Sequence, residues 1–127
     1  FDALQKKKMH VILLSHVGIR TFNDPEREPY DRWEMSTHKK VSAMIREWVD
    51  FNLFANYEVS TRTSGQGFKE TTRAVSYGKR KLFHKYTAAF DAKSRVDLGV
   101  APLDLDWTAF MTAFKQSLKS KQGEKNV

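Results

Sequence analysis

Apolar residues are bunched along this chain rather than spread. The run Val11 to Leu14 is too short for a helix and too apolar for a half-exposed strand, so it predicts a buried strand of a parallel sheet. It ends in the polar pair Ser15 and His16, ahead of Val17-Gly18, where the C-terminal edge of a parallel sheet commonly meets its ligand. Before it, Phe1 and Leu4 followed by Lys6 to Lys8 predict the closing turns of a helix, with the lysines suited to its negative end. A helix feeding a parallel strand is half of a crossover unit, and the strand's partners are expected upstream. With Phe rather than Met at its start, the chain reads as the C-terminal part of a larger α/β domain.

The stretch Thr21 to Ser36 holds two prolines, five carboxylates and three aromatics with no sustained period, and predicts a long loop of the kind that carries function. Val41, Met44, Ile45, Trp48 and Val49 then fall on one helical face, opposite Lys39, Ala43, Arg46 and Asp50, with Ser36 or Thr37 as cap. A second apolar strand follows in FNLFANYEV, then turn residues from Ser60 to Gly67. β-Branched and aromatic residues around Gly78 predict a hairpin and one more strand ending near Lys93. Asp106 is the expected N-cap of a final helix whose buried stripe is Trp107, Phe110, Met111, Phe114 and Leu118. Residues 1–118 thus form one domain, and 119–127 a basic, disordered tail.

Composition narrows the class. The chain has 127 residues, 40% of them hydrophobic, enough for one modest core. No run approaches a membrane helix, so no membrane partner is expected. Without cysteine, disulfides and thiolate metal sites are excluded, which favours an intracellular setting. Charge is lopsided: Thr61 to Arg95 carries nine Lys or Arg against two acids, and the rest of the chain balances, so the net +7 lies in that segment. With Tyr77, Phe83 and Tyr86 interleaved, the segment suits a polyanion such as DNA backbone or nucleotide phosphate, and equally a solvated sheet edge guarded by lysines.

Familiar motifs are missing: there is no G-x-x-x-x-G-K-[ST], no G-x-G-x-x-G and no H-E-x-x-H. His10, His16, His38 and His84 lack ligand spacing, and no metal site is expected. Asp91 and Lys93, two apart on a strand, share a face and match the latter half of a metal-dependent nuclease motif, a short pattern that also arises by chance.

In order along the chain, VILLSHV, FNDPEREPYDRWEMSTHKK, REWVDFNLFANYEV and AFDAKSR resemble the C-terminal half of a RecA-like P-loop NTPase core. More closely, they resemble phage AAA-type nucleotide-binding proteins of the Sak class, with PLDLDWTAFMTAF similar to that family's closing segment. The resemblance implies an α/β fold of parallel strands, a C-terminal antiparallel hairpin and a terminal helix. It also implies an ATPase acting on single-stranded DNA in recombination or single-strand annealing. ATP and Mg²⁺ would be its cofactors, in a homo-oligomeric ring or filament of a phage or prophage protein in a bacterial cytoplasm. The phosphate-cradling loop and the Mg²⁺-supporting carboxylate lie upstream in that family, so this segment alone is not expected to hydrolyse ATP.

Residue by residue, the resemblance puts Ser15 and His16 at the nucleotide, with His16 sensing the γ-phosphate; the bland alternative is a histidine capping the sheet edge through backbone hydrogen bonds. Lys93 and Arg95 stand where such assemblies present cations to the neighbouring subunit's nucleotide, or else are surface charges. The loop Gly18 to Ser36 takes the place of a DNA-contacting loop. Phe22, Tyr30 and Trp33 are candidates to stack on bases, and Arg20, Arg27 and Arg32 to meet phosphates. Five acids against two arginines from Thr21 to His38 make that loop a poor grip on DNA, and Lys39 and Lys40 are better phosphate candidates. Two other readings stand beside this one: a small basic nucleic-acid-binding module without enzymatic activity, and a metal-dependent nuclease fragment.

Overall fold

The computed structural model describes residues 1–64 and 71–124, with side chains outside 60–77 and 122–124. The chain divides into two compact units, Phe1–Trp48 and Val49–Val127.

In the first unit, α1 (Asp2–Lys6) forms as expected. It is tied to the end of α2 (Lys39–Trp48): the Trp48 Nε1 donates to Asp2 Oδ1 at 2.7 Å, and the Phe1 and Trp48 rings lie 5.4 Å apart. The expected parallel strand at Val11 to Leu14 is not formed. An extended segment becomes a strand only when its N–H and C=O groups meet a neighbour's. No described segment pairs with this one, and Ile12 and Leu14 stand 70% and 95% exposed. Strand β1 (Val17–Phe22) begins just after His16 and pairs antiparallel with β2 (Tyr30–Met35).

That hairpin replaces the expected loop. Its alternation is there to read, Gly18, Arg20, Phe22 and Tyr30, Arg32, Glu34 on one face, Val17, Ile19 and Trp33, Met35 on the other. Charged residues on the first face mask it, because a period-2 search looks for apolar alternation. Asp24 shapes the connection, its carboxylate accepting the Glu26 N–H at 3.0 Å. Helix α2 is capped by His38, not by Ser36 or Thr37: the His38 carbonyl accepts the Ser42 N–H at 3.0 Å and its Nδ1 faces the Lys40 N–H at 3.4 Å. Ser42 is the buried residue of α2, sharing a hydrogen bond with Thr37, while Val41 and Met44 of the expected core face are exposed.

The second unit is built on a long antiparallel pair, β4 (Phe54–Ser64) and β5 (Thr71–Phe83), with β7 (Leu103–Asp104) on the outer side of β5. FNLFANYEV is interrupted at Leu53: the preceding β3 (Phe51–Asn52) pairs instead with β6 (Lys93–Ser94). The core side carries Phe54, 6% exposed, stacked on Phe90 at 4.5 Å with Phe83 beside both. Burying one such ring stabilises by about 2 kcal/mol. Phe90 is delivered by a tight return in which the Thr87 N–H reaches the Phe90 carbonyl at 3.1 Å. Phe51 meets Phe110 and Phe114 of α3 (Trp107–Glu124) edge-on at 5.4 and 5.7 Å.

Asp106 caps α3 through the Ala109 N–H at 2.9 Å, as its place in the sequence predicts. Trp107, expected in the buried stripe, is 63% exposed, and Leu118 is exposed too, with Ser117 the buried residue of that turn. The helix runs on to Glu124, into the stretch expected to be a disordered tail, since its Lys, Gln and Ser are compatible with helix and extend an established nucleus. The expectation for 125–127 lies outside the described residues. Every strand pairing among the described residues is antiparallel, so the expected parallel arrangement is corrected to a mixed α/β fold with antiparallel sheets and a C-terminal helix.

Gly78 is not a hairpin turn but a bulge inside β5. Register shifts between Tyr57 and Val59, where residues 77–79 of β5 oppose Glu58 alone. The φ of +70° at Gly78 favours glycine, and an added Cβ would meet nothing within 4 Å, so the strain of a substitution is purely conformational. Gly78→Ala is therefore expected to destabilise by about 1 kcal/mol, and Gly78→Asn, which tolerates the left-handed region, by less. Thermal denaturation of the two variants measures this; an Ala variant as stable as the parent contradicts it.

Candidate functional site

Ser15 and His16 are exposed, and the His16 backbone, not its ring, makes the described contacts. Its carbonyl accepts the Ser36 N–H at 2.8 Å and the Ser15 hydroxyl at 2.9 Å, closing the open end of the β1–β2 hairpin. His16 directly precedes β1 of a two-stranded sheet.

The structure brings Arg20, Phe22, Tyr30 and Arg32 to one hairpin face and puts Trp33 on the other. Phe22 and Tyr30 meet edge-on at 5.7 Å. Arg32, 5% exposed, lies over the Phe22 ring at 4.3 Å, its Nε 3.2 Å from Glu34 Oε1, a charge attraction without hydrogen-bond alignment. Arg20, directly across from Arg32, reaches the Thr37 carbonyl at 3.4 Å, and exposed Arg27 lies 3.5 Å from Asp24. Lys39 and Lys40 are exposed on the first turn of α2.

In the second unit Lys93 lies in β6, half-buried, and Arg95 follows it. Arg95 is spoken for: its Nε is 3.0 Å from Asp50 Oδ1 and its N–H donates to the Asp50 carbonyl at 3.1 Å. The Asp91 carbonyl faces the Asn52 amide at 3.4 Å, and no group of three or more His, Cys, Asp or Glu comes together among the described residues. Of the interleaved aromatics, Phe83 belongs to the Phe54 cluster, Tyr86 is exposed, and the side chain of Tyr77 lies outside the described ones.

Residues 1–96 match the family model of the AAA domain. The chain belongs to that family. The match supports a P-loop-type, nucleotide-binding ATPase family for this AAA segment. No curated protein and no solved structure matches it. The residues present do not make up a phosphate cradle of their own. The sequence has no G-x-x-x-x-G-K-[ST], and the Arg95 guanidinium is engaged by Asp50. No step through ATP or Mg²⁺ is therefore derived from them.

Sequence reasoning missed a set of side chains on the β4–β5–β7 sheet. Lys81, one of its basic residues, is fixed to Asp104 at 2.8 Å, which fastens β7 to β5. The hydrogen bond between them, reinforced by their mutual attraction, raises the Lys81 ammonium and holds the Asp104 carboxyl below its ordinary value. Because the acid is depressed on folding, its contribution is present above about pH 4 and is lost as pH falls through the folded value. Because the amine is raised, its contribution is present below about pH 10 and is lost above it. Asp104→Asn is thus expected to lower stability at neutral pH and to flatten the acid limb of the stability profile. Denaturation followed from pH 7 to 3 decides it, and parallel curves for parent and variant would count against the pair.

Proposed function

We propose that this AAA segment belongs to an ATP-dependent protein that acts on single-stranded DNA in recombination or strand annealing, as the Sak-class resemblance implies. The supporting observation is the distribution of charge: the whole net +7 falls between Thr61 and Arg95, the stretch that runs from β4 through β5 to β6. The strands β4 and β5 themselves hold Arg62, Arg73, Lys79, Arg80 and Lys81 against Glu58, and a ribbon with such a surplus attracts phosphates at several points and releases their counterions. Lys79 and Arg80 are exposed there, whereas the hairpin Val17 to Met35 is acidic and its Arg32 is covered. The DNA contact in this reading therefore moves from the hairpin to the second unit. The resemblance would turn Ser15, His16, Lys93 and Arg95 toward ATP-Mg²⁺ in a homo-oligomer, a role for which Arg95 would have to leave Asp50.

Titrating the chain into a fluorescent oligo-dT strand tests the DNA reading. If about four phosphates are neutralised, the logarithm of affinity falls against that of salt with a slope of about −3. Absence of binding at low salt overturns it. In an ATP-hydrolysing assembly carrying this segment, Lys93→Ala with Arg95→Ala is expected to reduce turnover by about 10³-fold, the lower range for a cationic finger, with nucleotide binding retained; unchanged turnover sinks the in-trans role.

A further inference from the structure

The register of the three-stranded sheet aligns residues that are far apart in sequence. Tyr57 of β4 is the Cα partner of Arg80 of β5, and the Arg80 carbonyl accepts the Leu105 N–H at 3.1 Å, one step along the β5–β7 ladder. Directly opposed residues of antiparallel strands project from the same face. Tyr57, Arg80 and Leu105 therefore form one row across the sheet, and all are exposed, the tyrosine at 50% and the leucine at 43%. The next row on this face is Ala55, Leu82 and Leu103, and Val59, also exposed, lies two residues beyond Tyr57. The opposite face carries Phe54, Phe83 and the Lys81–Asp104 pair, so the aromatic cluster and the ion pair lie behind this surface.

Most of these features fit a surface meant for unpaired bases. A weakly apolar sheet face with one half-exposed ring accepts a base by stacking, which every base allows. Arg80 makes no ion pair among the described residues, unlike Lys81 beside it, and Lys79 is exposed next to it. The bulge at Gly78 lies immediately beyond this row, where a kink in β5 re-aims the strand. The surrounding segment has the charge complementary to a nucleic-acid backbone.

We propose that the Tyr57–Arg80–Leu105 row is a stacking platform for single-stranded DNA, with Tyr57 under a base and Arg80 on the adjoining phosphate. The assignment rests on the single-stranded DNA reading above and names the site within it. It differs from a purely ionic grip, because one contact is insensitive to salt.

Fluorescence anisotropy of a labelled oligo-dT strand with the full chain, at several salt concentrations, tests it. Tyr57→Leu keeps an apolar strand residue and removes the ring. It is expected to weaken binding about 5- to 150-fold, from the usual worth of one stacked base, with the salt slope unchanged. Tyr57→Phe should bind like the parent. Arg80→Ala should reduce the slope by about 0.7, one phosphate contact on a single strand. If the parent binds but Tyr57→Leu and Arg80→Ala bind equally well, the platform is wrong and the DNA reading stands. If the parent binds no DNA, both fall. If Tyr57→Leu instead breaks a self-associated form and leaves DNA affinity alone, the face is a protein interface and the proposal is overturned.

Discussion

Backbone hydrogen bonding between β4 and β5 is the interaction on which the second unit depends. Once Phe54 to Tyr57 is registered against Arg80 to Phe83, Phe54 and Phe83 fall on the face that Phe90 covers and Tyr57 on the other. The same register sets Lys81 opposite Asp104 when β7 joins, and so fixes the outer strand. A one-residue slip would turn every one of these side chains to the wrong face. The two-residue irregularity at Gly78 confines the change of register to one place, leaving the rows on either side intact.

The first unit obeys the same constraint on a smaller scale. Its two strands find each other across a short connection, and His16 and Ser36 complete the ladder at the open end. Val11 to Leu14 has equal or greater strand propensity but no described partner, and it stays outside the sheet. Propensity and apolarity alone do not make a strand; an available row of donors and acceptors does.

The candidate residues differ in how the structure holds them. Of the residues that the resemblance ties to nucleotide, His16 holds the mouth of a hairpin through its carbonyl and Arg95 is paired with Asp50. Lys79 and Arg80, exposed and outside the ion pairs seen among the described residues, are on the ribbon. Arg32 shows why residue type is a weak guide to binding: a guanidinium over a phenyl ring beside a carboxylate is part of the hairpin's packing.

The sequence by itself determined what is local. Asp106 as a cap, the short opening helix, the helix after Thr37 and the concentration of charge between Thr61 and Arg95 follow from side chains acting on their own few neighbours. Membership of the AAA family was legible too, in motifs spread from Met9 to Arg95. The tertiary structure alone decided which strands pair and in which direction, because any extended run offers the same backbone groups whatever its side chains. It also decided the row of Tyr57, Arg80 and Leu105, since residues 23 and 25 positions apart share a face only after a register is chosen.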